Sequence, residues 1–238
     1  MSKDIKINPL EILPVKQAKV DKKTKVPKPL PYSDGKPFTL CIIAPSASGK
    51  SVLLVNLIYR YYKQEFDEII YISPTINHDK TLENNVKNDE EIVKIHDEED
   101  LNNIDHILKQ LVEEQDKEEK KTKLIILDDM IAYFKNQSYL NKIPALSRHY
   151  NISFIITSQT AMIPNLIRKN ASHYVIYRIF NKKDLETIDE EIGINYEDFN
   201  EYYKEATKEK YSFLYITQRD PKLYKRFVDL LWERYKNN

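Results

Sequence analysis

Small residues, a glycine, a lysine and a serine follow an apolar run near the start of the chain, in the stretch Thr39-Leu-Cys-Ile-Ile-Ala-Pro-Ser-Ala-Ser-Gly-Lys-Ser51. A strand that leads through such a loop into a helix surrounds phosphates with backbone N–H groups, at the positive end of the helix. Lys50 would then reach the β- and γ-phosphates, and the Ser51 hydroxyl would ligate Mg²⁺. The predicted loop consists of Ala44, Pro45, Ser46, Ala47, Ser48, Gly49, Lys50, Ser51 and Val52.

The loop departs from the pattern G-x-x-x-x-G-K-[ST] at its first position, where Ala44 replaces glycine. Glycine is favoured there because it relieves crowding and permits a positive φ. Alanine is the smallest alternative, and it fits if that residue keeps an ordinary φ. The chain has only 3 glycines, and Gly49 stands where the pattern needs one most, directly before Lys50.

A second apolar run ends in two carboxylates, in the stretch Lys123-Leu-Ile-Ile-Leu-Asp-Asp129. A strand that ends in an acid is the usual second half of a triphosphate site. Asp128 would hold Mg²⁺ through water, and Asp129 would polarise the attacking water. Many related sites carry Glu at the second position, and the shorter Asp129 reaches less far.

Alternating strand and helix patterns surround these motifs, and they predict an α/β fold with a mostly parallel sheet covered on both faces. The first helix would bury Val52, Leu53, Leu57 and Ile58. The chain divides into an arm over 1–37 and a phosphate-loop domain over 38–238. Predicted strands are 38–43, 68–72, 123–127, 152–157, 174–179 and 211–217; predicted helices are 49–62, 100–120, 183–192 and 221–235.

The arm is rich in lysine and proline, with 8 lysines in residues 1–30 and 6 prolines in residues 1–37. Proline at this density disfavours helices and central strands, so the arm is predicted to be extended, with a short strand around 5–13. It is either a solvated tail or a partner contact. The helix over 100–120 is acidic and is predicted to be a solvated outer helix.

Overall composition bounds the class of protein. The 37 basic and 37 acidic residues balance, so net charge gives no support for nucleic-acid binding and does not exclude it. No apolar run approaches the roughly 18 residues that span a bilayer, and no secretory signal is recognisable. The one cysteine, Cys41, lies in an apolar strand, which excludes a disulfide framework and indicates a core residue in a reducing compartment.

Polar residues end the fourth predicted strand as Thr157-Ser158-Gln159. Arg148-His149 precede that strand, and Ile163-Pro-Asn-Leu-Ile-Arg168 follows it. With the phosphate loop and the Asp-Asp strand, these residues resemble the viral genome-packaging ATPases of the FtsK–HerA superfamily, of the poxvirus, giant-virus and virophage type. The resemblance covers roughly residues 38–230. It departs at Ala44, and at Asp129, where cellular FtsK and HerA proteins carry Glu.

The resemblance implies a RecA-like P-loop fold that hydrolyses ATP with Mg²⁺ and moves double-stranded DNA into a capsid. Gln159 would sense the γ-phosphate. A homo-oligomeric ring, pentamer or hexamer, is expected, in which one subunit's arginine completes its neighbour's site. Arg148 is the first candidate, Arg168 the second, and Arg178 a further one. The resemblance also implies capsid proteins as possible partners, no membrane, and a place in the virion or the host-cell cytoplasm.

Contact with DNA is the least visible part of the pattern. The candidates are His78, Lys80 and Lys87 after the second strand, together with the basic arm.

Three other functions fit parts of the sequence. Asn181-Lys-Lys-Asp184 matches the guanine-recognition spacing of GTPases, although GTPases place a glycine three residues after the magnesium-linked Asp, and none occurs between Gly49 and Gly193. A small kinase would need an arginine-rich lid, and the acidic segment 83–120 makes a poor one. A non-catalytic binding module predicts that Lys50→Ala leaves function intact.

Overall fold

The computed structural model describes residues 24–87, 93–117, 121–134, 139–142, 149–192 and 196–234. The strands are β1 Thr39–Ile43, β2 Glu68–Ile72, β3 Val93–His96, β4 Lys123–Leu127, β5 Ile152–Ser158, β6 His173–Tyr177, β7 Phe213–Thr217, β8 Lys222–Lys225 and β9 Asp229–Glu233. They form one nine-stranded sheet in the order β3-β2-β4-β5-β1-β6-β7-β8-β9.

The sheet has a parallel part and an antiparallel part. All neighbours from β3 to β6 pair in parallel, and β7, β8 and β9 continue the sheet as antiparallel neighbours. The strands β1, β4 and β5 are buried along their whole length. The predicted mostly parallel sheet is confirmed, because strands covered on both faces read as continuous apolar runs.

Helices connect the strands. The helix after the phosphate loop, α1, continues without a break into a π-helical stretch, Leu57–Tyr62. A short helix, α2, continues similarly into Glu83–Lys87, and a 3₁₀ turn, Asp100–Asn103, leads into α3. The helices are α1 Lys50–Asn56, α2 Lys80–Leu82, α3 Ile104–Lys117, α4 Asn165–Asn170, α5 Lys182–Ile192 and α6 Tyr196–Ala206.

Two apolar cores lie on opposite faces of the sheet, as alternation along β1 shows. Cys41 and Ile43 belong to the core that α3 covers, and Leu40 and Ile42 to the core that α1 covers. Helices on both faces are therefore confirmed, and Cys41 is buried. Burial raises the pKa of its thiol, so it stays protonated.

One predicted helix face is partly wrong. Leu57 and Ile58 are buried in α1 and its continuation as expected, but so is Leu54, and Leu53 is only partly buried. Val52 is exposed. The buried face therefore includes Leu54 and leaves out Val52.

The helix predicted over 221–235 is wrong, because this segment forms the hairpin of β8 and β9. Its Lys, Leu, Arg and Glu residues favour a helix, yet β7 leaves an edge that another strand can pair with. Pairing with β8 satisfies the backbone groups of that edge and buries Leu223. Strand β3 and helices α2, α4 and α6 were also not predicted.

The segment 24–37 was expected to be extended, but it forms turns that pack on the domain. Val26, Leu30 and Tyr32 are buried in the core that α1 covers. The hydroxyl of Tyr215 donates to the Pro29 carbonyl oxygen at 2.7 Å. Residues 1–23, including the strand predicted at 5–13, lie outside the described residues, and the division of the chain at residue 37 stays a prediction.

In the described part of the chain, no helix is both long enough and apolar enough to cross a bilayer.

Candidate nucleotide site

Three neighbouring parallel strands deliver the predicted residues to one edge of the sheet. The phosphate loop follows β1, the two carboxylates follow β4, and Gln159 follows β5, which lies between β1 and β4. The carboxyl ends of parallel strands meet at one edge, where ligands bind in open α/β sheets. A cavity of about 1190 Å³ lies there, and it is lined by the loop together with Asp129 and Gln159.

The loop backbone explains which positions need glycine. Gly49 has φ +96°, and a Cβ on it would lie 3.3 Å from Cδ1 of Tyr211, so a side chain there would be both strained and crowded. Ala47 also has a positive φ, of 60°. Ala44 is buried and has no positive φ, and its N–H donates to the Ser158 carbonyl oxygen at 2.8 Å. The condition under which alanine fits the first position is therefore met.

Lys50 joins the loop to both carboxylates. Its Nζ lies 2.9 Å from Oδ1 of Asp128 and donates to Oδ2 of Asp129. Burial alone lowers the pKa of Lys50, but the two carboxylates outweigh it, and the net pKa lies above the ordinary value. The ammonium group is therefore charged, and the structure brings Lys50, Asp128 and Asp129 together as the sequence predicts.

Asp128 is a buried carboxylate held by several donors. Its Oδ1 accepts from the Thr157 hydroxyl at 2.5 Å, and its Oδ2 accepts from the Tyr71 hydroxyl at 2.9 Å. The Ser73 hydroxyl lies 3.5 Å from the same Oδ2. A buried charge is tolerated only when it is paired and hydrogen-bonded. These contacts hold Asp128 in one orientation at the end of β4.

Asp129 has a strained backbone, with φ 56°. Its N–H donates to the Thr157 hydroxyl oxygen at 3.1 Å, so Thr157 bridges both aspartates. Left-handed conformations of non-glycine residues persist where neighbours hold them, and they cluster at functional sites. The turn directs the Asp129 side chain into the cavity and not along the strand.

Asp79 lies at the candidate site, and the sequence analysis did not single it out. Its Oδ2 accepts from the Ser51 hydroxyl, and its Oδ1 accepts from the N–H groups of Thr81 at 2.8 Å and Leu82 at 3.2 Å. Asp79 thus caps α2 and holds the side chain of the predicted metal ligand. An Asp directly before a helix is a capping signal, but that signal does not reveal the contact with Ser51.

Oxygen groups at this edge of the sheet fit Mg²⁺; Ser51 and Asp79 line the cavity, and Asp128 is buried at the end of β4. Ser51 and Asp128 supply a hydroxyl and a carboxylate, which are hard oxygen ligands, and Asp79 adds a carboxylate beside Ser51. Among the residues that the structure describes, no three His, Cys, Asp or Glu side chains are placed to hold a metal ion. The set matches a Mg²⁺ that shares its coordination with substrate phosphates, which is how this ion is usually bound.

Gln159 lies at the predicted place. Its Oε1 accepts from the Ser46 hydroxyl at 3.4 Å, across the space between the ends of β1 and β5. The side chain is exposed and lines the cavity. Gln159 is therefore within reach of a group bound in the loop.

The predicted arginines differ in their surroundings. Arg148 lies outside the described residues. Arg168 is bound within its own subunit: its Nε donates to Glu191 at 2.8 Å and its Nη1 to the carbonyl oxygen of Ala161 at 2.7 Å. These contacts tie Arg168 to the segment after β5, and its role in a neighbour's site stays a prediction. Arg178 is exposed, above the ring of Phe180.

The residues of the guanine-recognition pattern do not contact the cavity. Asn181 Oδ1 accepts from the Lys183 N–H at 3.0 Å, next to the start of α5, and Asp184 lies in the first turn of that helix. Neither of these two described residues lines the cavity. The structure therefore supports reading Asn181–Asp184 as a polar turn that begins a helix, and not as a guanine-recognition site.

A protein-family model described as "Poxvirus A32 protein" matches residues 33–203, well over half of the chain. The chain belongs to the poxvirus A32 protein family. The family match confirms the resemblance to viral packaging ATPases of the poxvirus type. It includes the phosphate loop, both aspartates and Gln159, and it ends before the hairpin of β8 and β9. A comparison with individually curated proteins found no match to this A32-family chain.

Solved structures show the same fold. The genome packaging NTPase B204 of Sulfolobus turreted icosahedral virus 2, in complex with ATP-gammaS, is 16% identical with TM-score 0.55, over 81% of this chain and 98% of that chain. The DNA-packaging ATPase B204 of Sulfolobus turreted icosahedral virus is 18% identical with TM-score 0.59, over 80% and 98%. The cytoplasmic domain of the Type VII secretion ATPase EccC of Thermomonospora curvata is 14% identical with TM-score 0.52, over 79% and 24%. The A32-family chain thus has a P-loop ATPase fold.

Proposed function

We propose that this member of the A32 family hydrolyses ATP and uses the energy to move double-stranded DNA into a viral capsid. The observation that carries the proposal is the contact of Lys50 with both Asp128 and Asp129. It joins the phosphate loop to the two carboxylates that a triphosphate site needs. The similarity to B204, a genome packaging NTPase whose structure in complex with ATP-gammaS has been solved, supports the same assignment.

Lys50 would change partners when ATP binds. Without phosphates its charge is balanced by Asp128 and Asp129, and in the complex it would pair with the β- and γ-phosphates. The N–H groups of the loop would surround those phosphates. Ser51 and Asp128 would hold Mg²⁺, which neutralises phosphate charge when it is bound. Tyr71 and Thr157 keep Asp128 in place after Lys50 has moved, because their bonds do not involve Lys50.

Asp129 would act as the base for hydrolysis. When Lys50 turns to the phosphates, the Asp129 carboxylate loses its partner and becomes free to accept a proton from the attacking water. Gln159 would orient that water from the end of β5. The strained backbone of Asp129 favours this role, since it points the carboxylate into the cavity.

Asp79 would couple the nucleotide to the DNA-binding segment. It contacts Ser51 on one side and caps α2 on the other. The segment around α2 carries the predicted DNA contacts: His78 and Lys80 are exposed, and Lys87 donates to Asn77 Oδ1 at 2.6 Å. Positively charged groups that track phosphates suffice for translocation without base recognition.

Assembly completes the proposal. We infer a homo-oligomeric ring of five or six subunits in which Arg148 enters the neighbouring site, where an arginine is worth about 10³–10⁵ in rate. The packaging role implies that capsid proteins are partners of the ring. It also implies that the protein acts in the virion or the host-cell cytoplasm.

ATP turnover with and without long duplex DNA tests the proposal. Lys50→Ala should lose at least about 10³-fold in turnover, because the charge that meets the γ-phosphate is removed. The exposed Lys169→Ala is the matched control and should turn over ATP like the wild type. Duplex DNA should raise wild-type turnover. Normal turnover of Lys50→Ala would refute the catalytic assignment, and turnover indifferent to DNA would refute the motor.

Mixing experiments test the shared site. Arg148→Ala should be inactive alone and should regain part of its activity when it is mixed with Lys50→Ala, since mixed rings contain some complete sites. Absence of any recovery, in mixtures shown to exchange subunits, would remove Arg148 from the neighbour's site.

A further inference from the structure

The cavity continues past the phosphate loop into a region that exposes apolar side chains, with Lys210 and Arg226 beside them. Val52 is 54% exposed, Tyr211 55% and Val228 78%, and all three line this cavity. Val52 follows the loop at the start of α1, Tyr211 lies just before β7, and Val228 lies between β8 and β9. Clustered exposed apolar groups mark binding surfaces, whereas scattered ones need no explanation.

Tyr211 is held against the loop by a strained backbone. Its φ is 62°, a conformation that is unusual for a large aromatic residue. Its ring lies beside Gly49, so that a Cβ on that glycine would come within 3.3 Å of Tyr211 Cδ1. The ammonium group of Lys210 lies 4.8 Å from the centre of the ring. The ring therefore occupies a defined position next to the phosphate loop while much of it stays exposed.

The turn between β8 and β9 is fixed beside it. The ring of Phe227 packs against Phe213 at 5.0 Å and against Tyr215 at 4.8 Å between ring centres. The N–H of Arg226 donates to the Phe213 carbonyl oxygen at 2.9 Å. Because this turn is anchored on β7, the exposed Val228 has a stable position at the cavity.

We propose that Tyr211, Val228 and Val52 bind the base of the nucleotide, with the Tyr211 ring stacking on it. The inference rests on the proposed function, since it takes the phosphates to lie in the adjacent loop. A base and a phosphate group belong to one molecule, and the cavity joins the two regions. Stacking recognises the flat face that every base has and not its hydrogen-bonding edge. The site therefore does not select a base by its edge, and ADP and GDP bind within about tenfold of each other.

The test compares ligands with and without a base. Binding of ADP, GDP and inorganic tripolyphosphate is measured by calorimetry for the wild type, Tyr211→Ala, Tyr211→Phe and Val228→Asp. Tyr211→Ala should weaken ADP and GDP about 10- to 100-fold and leave tripolyphosphate within about twofold. Tyr211→Phe keeps the ring and should bind ADP within about threefold of the wild type. Val228→Asp should weaken ADP more than tripolyphosphate.

Phe180→Ala is the matched control, because Phe180 is an exposed aromatic residue outside this cavity, and it should change nothing. Unchanged ADP binding by Tyr211→Ala overturns the proposal. So does an equal loss of ADP and tripolyphosphate, which would make Tyr211 only a support for the loop. ADP binding more than tenfold tighter than GDP overturns recognition by stacking alone. Loss of base recognition leaves the Lys50→Ala turnover test unaffected, so the two proposals fail separately.

Discussion

At the phosphate-loop end of the cavity the side chains are charged, largely buried and paired, whereas the other end exposes apolar side chains, with Lys210 beside the Tyr211 ring. Asp128 is hydrogen-bonded on both oxygens and contacts Lys50, while Tyr211 and Val228 present uncovered surface. The difference suits the two tasks that we propose for this cavity. Chemistry on phosphates needs charges fixed in advance, and binding a base needs a flat apolar surface that the ligand itself covers.

We expect substitutions at the phosphate end to lower catalysis or the use of Mg²⁺, and substitutions of the exposed apolar residues at the other end to lower nucleotide affinity.

Asp128→Asn should have the largest effect. The amide cannot balance Lys50, and its NH₂ group would face a hydroxyl that now donates to a carboxylate oxygen. We expect about 10³-fold lower ATP turnover and a loss of about 3 kcal/mol in the free energy of unfolding, measured by denaturant titration. The exposed Asp198→Asn is the control and should leave both quantities unchanged. Wild-type stability of Asp128→Asn would contradict the buried charge pair.

Asp129→Asn should separate catalysis from binding. Asparagine tolerates the left-handed backbone of this position, so the free energy of unfolding should change by less than about 0.5 kcal/mol. Turnover should fall about 10²- to 10³-fold because the base is lost, while calorimetry should still detect ATP binding. If the variant hydrolyses ATP at the normal rate, another group is the base.

Asp79→Ser should lower the apparent affinity for Mg²⁺ during ATP turnover. Serine keeps the cap of α2 but is too short to hold the Ser51 hydroxyl as Asp79 does. The Mg²⁺ concentration for half-maximal turnover should rise about tenfold, as expected for a residue that orients a metal ligand. Thermal unfolding without nucleotide should stay close to that of the wild type. An unchanged Mg²⁺ requirement would limit Asp79 to capping.

His173 should make the free energy of unfolding decrease in acid. Burial first, and then the charge of Arg219, lower the pKa of His173 from 6.5 to about 3, although Asp34 opposes them. Its ring stacks on Tyr215, which packs against Phe227 of the β8–β9 turn. Between pH 6.5 and about pH 3 the unfolded state binds more protons at His173 than the folded state does. The contribution of His173 to stability is therefore complete above pH 6.5 and declines as the pH falls.

The decline is at most about 1.4 kcal/mol per pH unit. Denaturant titrations at pH 7 and pH 5 measure it, and His173→Gln should show a smaller difference between the two. An equal difference in both proteins would assign the acid sensitivity to other groups.

The phosphate end could be predicted from the sequence because its residues are set by local spacing. Gly49, Lys50 and Ser51 are consecutive, and Asp128 and Asp129 end an apolar strand, so an ordinary parallel sheet brings them to one edge. The sequence also indicates that Ala44 fits the loop if its φ is ordinary, and its φ is not positive.

The other end could not be predicted in the same way. Tyr211 reaches the loop through a strained φ, and Val228 reaches the cavity because an edge strand recruits a segment with helix-favouring residues. Asp79 reaches Ser51 from a separate connection, 28 residues away. The contacts of Arg168 with two carbonyl oxygens and with Glu191 of its own subunit are likewise not revealed by spacing.

The sharpest experiment is a crystal structure with Mg²⁺ and a slowly hydrolysed ATP analogue. In that structure we expect the phosphates to lie in the loop around Gly49, Lys50 to have left Asp129 for them, and Ser51 and Asp128 to share one metal ion. Phosphates bound away from Gly49, or a metal ion out of reach of Asp128, would contradict it.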